Sequence, residues 1–186
     1  MATLFVDKID PQSGTTLSLG SSGDTIQATA GTTNNLGISE ADQWRLTADL
    51  TANESPLSSN LARPTNTGFS KIGTGMSVSS GVWTFPSTGL WKIEANVLAI
   101  LASNDAQIIL AIRTYINSSA ADVANAVMGS LSDYTMGNTS FLYNVTNTST
   151  HQLVFRVYSL GSGGSIRGDA TLNETHFNFI RLGDSQ

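Results

Sequence analysis

A chain of 186 residues is long enough for one domain with a substantial core, or one domain and a short appendage. Charged residues make up 12% of it against about 25% in an average globular protein, while Ser, Thr, Asn and Gly fill 77 positions, so the surface is neutral and hydroxyl-rich and long amphipathic helices are disfavoured. A net charge of -5 leaves no basic stripe for nucleic acid, the lack of cysteine excludes disulfides and thiolate metal sites, and no apolar run approaches the ~18 residues of a membrane span.

Residues 1–36 differ in texture from the rest. After a short lead from Met1 to Ile9, Leu17, Leu19, Ile26, Ala28 and Ala30 alternate with polar residues between Gly-rich turns, which reads as short strands. So few small apolar side chains close no core in one copy. The segment is either a Gly/Ser/Thr-rich linker or one strand of a fibre wound from three chains.

Gln43–Leu46 predicts a strand, followed by a polar connection through Pro56 and Pro64 that holds a short second strand near Leu61. Phe69–Val78 and Gly81–Phe85 predict a hairpin through Ser79-Ser80-Gly81, and Pro86–Gly89 turns the chain again. Beyond Gly89, Trp91, Ile93, Ala95, Val97 and Ala99 alternate with Lys92, Glu94 and Asn96, the mark of a half-buried strand. Ile108–Ile116 is apolar almost throughout and predicts a strand covered on both faces. Asn117-Ser118-Ser119 then turns the chain into Asp122–Leu131, whose alanines suit a helix but whose Val123, Val127 and Met128 form no helical stripe. A strand is the reading.

Thr139–Val145 and Gln152–Leu160 predict a hairpin through Thr146–Ser149, with Leu153, Phe155 and Val157 on one face. A flexible loop, Gly161–Gly168, leads to a last strand from Thr171 to Leu182 that carries Phe177 and Phe179 together. About eight to ten short strands without a βαβ signal imply an all-β fold, an antiparallel two-sheet β-sandwich of jelly-roll type.

The run Gly81-Val82-Trp83-Thr84-Phe85-Pro86-Ser87-Thr88-Gly89-Leu90-Trp91-Lys92-Ile93 resembles the signature strand pair of the C1q/TNF-like family, and Thr175–Gly183 is similar to its terminal strand. The resemblance spans residues 43–186 and divides the chain into a fibrous attachment segment, 1–36, and a jelly-roll head, 37–186. It implies about ten strands, a tight homotrimer and apical loops turned to ligands. Phe69, Phe85, Trp91, Tyr115, Phe177 and Phe179 are then core or trimer-interface residues. Phe5–Pro11 resembles the N-terminal segments of bacteriophage tail-fibre and virion appendage proteins. No Gly-X-Y repeat stands here in place of a collagen stalk, so the immune function of animal C1q heads does not transfer. The implied function is a viral structural protein, located in the virion, docked on other virion proteins through residues 1–36 and adhering to a host-surface glycan or protein. A capsid decoration protein without its own ligand is the alternative.

Catalytic signatures are missing: there is no Gly-x-Ser-x-Gly, His-Glu-x-x-His or phosphate-binding Gly-Lys-Ser/Thr, and no enzyme activity is expected. His151 at a hairpin turn and His176 in the last strand are the only histidines, and a metal site would need them to meet by chance together with a carboxylate, so none is expected. Asp105, Asp122, Asp133, Asp169 and Glu174 fall in or beside loops, where calcium chemistry is conceivable but solvated acids are the simpler reading, so no cofactor is expected. Arg167-Gly168-Asp169 matches the integrin-recognition tripeptide, a short match that chance supplies. Tyr134, Tyr143 and Tyr158 suit sugar stacking if exposed and sandwich packing if not.

Overall fold

Gly14 and residues 37–102, 107–129 and 134–186 are described by a computed structural model. The chain divides into Met1–Leu36 and Gly37–Gln186. The short strands expected at Leu17, Leu19 and Ile26–Ala30 lie outside the described residues, as do Asp105 and Asp133.

Among the described residues there is no helix, and eleven strands form two antiparallel sheets. The first sheet holds β1 (Ala41–Leu46), β2 (Leu61–Ala62), β5 (Gly89–Ile100), β8 (Tyr134–Val145), β10 (Ser165–Ile166) and β11 (His176–Gly183). The second holds β3 (Ser77–Ser79), β4 (Val82–Thr84), β6 (Ile108–Ile116), β7 (Ser119–Met128) and β9 (His151–Tyr158). In the first, β8 flanks one side of β5 along its whole length, while β11 and then β10 share the other side and β1 and β2 follow. In the second the order is β3-β4-β9-β6-β7. Neighbours in these sheets are often distant in sequence, as a jelly roll requires.

The strict alternation of β5 fixes the layering. Its odd-numbered residues from Trp91 to Ala99 are wholly buried and its even-numbered residues from Leu90 to Ile100 only half-buried, so one face meets the second sheet. Trp83 of β4 stands at the centre of the core. Its ring lies 5.1 Å from Trp44, 5.8 Å from Phe155 and 4.9 Å from Phe179, while Phe155 stacks on Phe177 at 4.2 Å. Phe85 fills the next layer, 5.2 Å from Trp91 and 5.6 Å from Tyr143. Edge and offset aromatic contacts of this kind add about 1 kcal/mol each beyond the area they bury.

Some sequence expectations shift in the structure. The strand expected over Phe69–Val78 shrinks to β3, because Lys71 Nζ and the Thr74 and Gly75 amides are drawn into turns around Gly73 and Glu40 rather than a ladder. The last strand starts at His176, five residues late, since Asp169 caps the Thr171 and Leu172 amides in a turn. Asp122–Leu131 is strand through Met128, and β7 pairs with β6 from Ser119 onward with one register shift between Ile112 and Arg113. Gly161–Gly168 is not free along its length: β10 pairs with Ala99 and Ile100, and Ile166 exchanges backbone hydrogen bonds with Leu50.

Candidate functional site

The face of the first sheet that points away from the core is unusual for a solvated sheet. Leu98 stands opposite Met136, Ile100 opposite Tyr134, and Lys92 opposite Leu142. Met136 is 77% exposed, Tyr134 61% and Leu142 54%. Alternation on β8 dictates this, since Thr139, Tyr143 and Val145 take the inner positions. Between the two apolar ends runs a polar belt of Gln43, Asn178, Glu94 and Ser140, and beside it Arg45, His176, Asn96 and Asn138. Asn138 Nδ2 donates to Asn96 Oδ1 at 2.7 Å, and Lys92 Nζ pairs with Glu94 at 2.6 Å. His176 is half-buried in this belt; desolvation pushes its imidazole below the ordinary value, against the pull of the Asn173 carbonyl and the Glu94 charge.

A groove of about 560 Å³ opens on the β1–β11 side of the same face. Gln43, Asn178 and Ile180 form its floor, and Pro64, Asn66 and Phe69 one wall, with Leu172 and Asn173 opposite. The wall is held by Asp42, whose buried carboxylate accepts from Arg63, from Trp44 Nε1 at 2.9 Å and from the Met76 amide at 2.8 Å. Arg63 also lies over the Trp44 ring at 4.4 Å. Beneath the groove Arg45, 1% exposed, donates to Asn66 Oδ1 at 2.9 Å and Asn173 Oδ1 at 3.4 Å. Asn173 Nδ2 donates to Gln43 Oε1, and Gln43 Nε2 donates to Asn178 Oδ1, each at 2.7 Å.

Other residues singled out in the sequence are placed elsewhere. Phe85, Trp91, Phe177 and Phe179 are buried between the sheets; Phe69 is half-buried at the groove, and Tyr115 is half-buried on the outer side of the second sheet. Tyr143 is 4% exposed and donates to the Tyr115 carbonyl at 2.8 Å; burial pushes its phenol up to about 12. Tyr158 lies under Arg156, 5.4 Å away. His151 is buried against the Tyr143 ring and sits nowhere near His176 in the fold's layers, being on β9 of the other sheet. No three metal-ligating side chains cluster among the described residues.

The Arg167-Gly168-Asp169 tripeptide is consumed by the fold. Arg167 pairs with Asp49 and lies 3.7 Å from Glu174, and Asp169 accepts from the Thr171 hydroxyl and two backbone amides, which hold its carboxyl below the usual range. At Gly168 a Cβ would stand 2.3 Å from the Ala48 carbonyl oxygen, so the backbone itself is packed. On the second sheet burial pulls the Asp122 carboxyl up, but hydrogen bonds from Arg113 and Arg156 outweigh it and hold the group low. Gln43, Asn173 and Asn178 were not marked by the sequence, since single amides in a chain with 14 asparagines carry no signal.

No protein-family model matches the sequence, and no curated protein matches it. Solved structures do. A structure of Eiger TNF from S. frugiperda matches with a TM-score of 0.60 at 11% identity, covering 78% of this chain and 94% of that one. Murine APRIL at pH 5.0 matches with a TM-score of 0.58 at 9% identity, covering 77% and 98%. At such identities the likeness speaks for the fold alone, and the head is an all-β sandwich with the TNF/C1q-like jelly-roll fold.

Proposed function

We propose that the chain is a non-enzymatic structural protein of a virion, a homotrimeric fibre or appendage head that adheres to the host surface. The observation that carries the trimer is the outward face of the first sheet. Met136, Leu142 and Tyr134 stand in water in one copy, beside half-buried Leu90, Leu98 and Ile100. Large exposed apolar side chains at both ends of one sheet face, with a hydrogen-bonded polar belt between them, suit a face that meets another subunit. The C1q/TNF-like resemblance implies three-fold closure, and such closure leaves no copy of the patch exposed.

Adhesion is supported by a neutral, hydroxyl-rich surface and by the multivalency of a three-fold head, where weak identical sites add up to firm attachment. Residues 1–36 supply the link to the rest of the virion in this reading. Light scattering after size exclusion tests the assembly: the expected mass is three times 19.6 kDa. Met136→Asp with Leu142→Asp places charge in the contact and converts the trimer to a folded monomer. A native chain that runs as a monomer at all concentrations overturns the proposal, and an intact trimer that binds neither host cells nor surface glycans removes the adhesive role.

A further inference from the structure

Outward side chains of the first sheet line up in rows that cross its strands. One row is Ala41, Ile180, Lys92 and Leu142, the next Gln43, Asn178, Glu94 and Ser140, and the third Arg45, His176, Asn96 and Asn138. A fourth carries Leu98 and Met136. The two ends of the rows differ in relief. At the β8 end, where that strand pairs in its sheet with β5 alone, Leu142 and Met136 are exposed. At the β1 end lies the groove, with Ala41 and Ile180 of the first row and Gln43 and Asn178 of the second among its lining, beside Phe69 and Leu172.

The groove and the exposed apolar side chains share one face, so an assembly that covers the second covers the first. A concavity roofed by a partner and left empty forfeits contacts on every wall, because subunit contacts pack as densely as protein interiors. Its filler must come from the covering surface and be apolar enough for Phe69, Pro64, Leu172 and Ile180. Contacts in a three-fold ring are heterologous: each copy offers one surface and receives another. Protruding apolar side chains at the β8 end and a concavity at the β1 end form such a pair. Setting β8 of one copy against β1 and β11 of the next runs the three-fold axis along the strands, and rotation about that axis keeps every row at its own level. Leu142 then arrives at the level of Ala41 and Ile180, while Met136, six residues or about 20 Å along the strand, arrives beyond the groove.

We propose that Leu142 of each copy seats in the β1–β11 groove of the next, on Ile180 and beside Phe69, and that this head-to-tail contact closes the ring. The seat deepens the trimer reading above and rests on it; the groove is filled only when a second copy contributes its β8. Introduced thiols test it without background, since the chain has no cysteine. Within one copy Leu142 and Ile180 flank β5, two strand spacings or about 10 Å apart. That exceeds the roughly 7 Å a disulfide spans, so a bond between these positions joins two copies. Leu142→Cys with Ile180→Cys, oxidised with diamide as the assembled full chain, should give covalent dimers and trimers on a non-reducing gel. Neither single variant should, nor should Met136→Cys with Ile180→Cys. Ile180→Asp, with a native circular dichroism spectrum, should run as a monomer.

Covalent dimers from Leu142→Cys alone would put the same residue on both sides of the contact and overturn the seat. Covalent trimers from the Met136→Cys pair overturn it as well, as does a folded Ile180→Asp that stays trimeric. So does the absence of covalent product from a Leu142→Cys, Ile180→Cys chain whose reduced form has the mass of a trimer. Failure of the trimer reading looks different: the native chain itself runs as a monomer, and the seat falls with it.

Discussion

Trp83 owes its place to the strand pair that carries it and to the four rings that surround it, Trp44, Phe155, Phe177 and Phe179. It is wholly buried, yet its Nε1 finds no hydrogen-bond partner among the described residues. A buried donor without a partner costs about 1–3 kcal/mol, while the ring's contacts contribute more. The two terms separate by substitution. Trp83→Ala leaves a cavity between the sheets and is expected to cost about 3–5 kcal/mol. Trp83→Phe keeps an aromatic ring and removes the orphaned N–H, so its cost should be less than half of that, read from urea midpoints at unchanged m-value. Equal losses for the two substitutions would sink this account of the site.

Strands differed in how plainly the sequence announced them, and the reason lies in their surroundings. β5 packs one face on the core and turns the other to the polar belt, so period-two alternation is written along its whole length. β7 lies at the edge, with only Ala126 and Met128 buried, and its alanines blur helix against strand. β3 and β11 begin later than expected because side-chain carboxylates of Glu40 and Asp169 capture backbone amides, a competition that local apolar pattern does not record. Closure of the sandwich edge depends on a residue that reads as mere punctuation. Gly137 of β8 faces β7, and a Cβ there would stand 2.8 Å from Met128 Cγ and 3.2 Å from Ala126 Cβ. Gly137→Val should therefore push β7 away and cost about 1–3 kcal/mol, with amide exchange accelerated in β7 and little changed in β5. Uniform acceleration across both sheets, or none, would contradict a local closure.

At the scale of the whole head, the alternation that buries Trp91 is written along its own strand, but the groove is written along none. Its amides come from β1, the Asn66 loop, the approach to β11 and β11 itself, and only the antiparallel register of β1 on β11 brings Gln43 beside Asn178. The same register sets a titratable group in the middle of the outward face, His176 between Arg45 and Asn96 with Glu94 near. Desolvation lowers its affinity for a proton in the folded state relative to the ordinary value of 6.5. On acidification the unfolded chain then binds the proton first, so stability is full above about pH 6.5 and declines as pH falls toward the lowered value. Asp122, Asp169 and Glu54 act in a separate window. Their carboxyls are held low in the fold, so what they contribute is present above the usual carboxylate range and is lost only as pH falls through their lowered values. Melting temperatures recorded from about pH 8 to about pH 3 should thus fall in two stages. His176→Gln should flatten the first stage and leave the second. If assembly covers this face, excluding more water from the imidazole, the first stage should also steepen with protein concentration in the native chain and not in the variant. A first stage that persists unchanged in His176→Gln would show that the proton is taken up elsewhere, and would remove His176 from any account of how acid acts on this head.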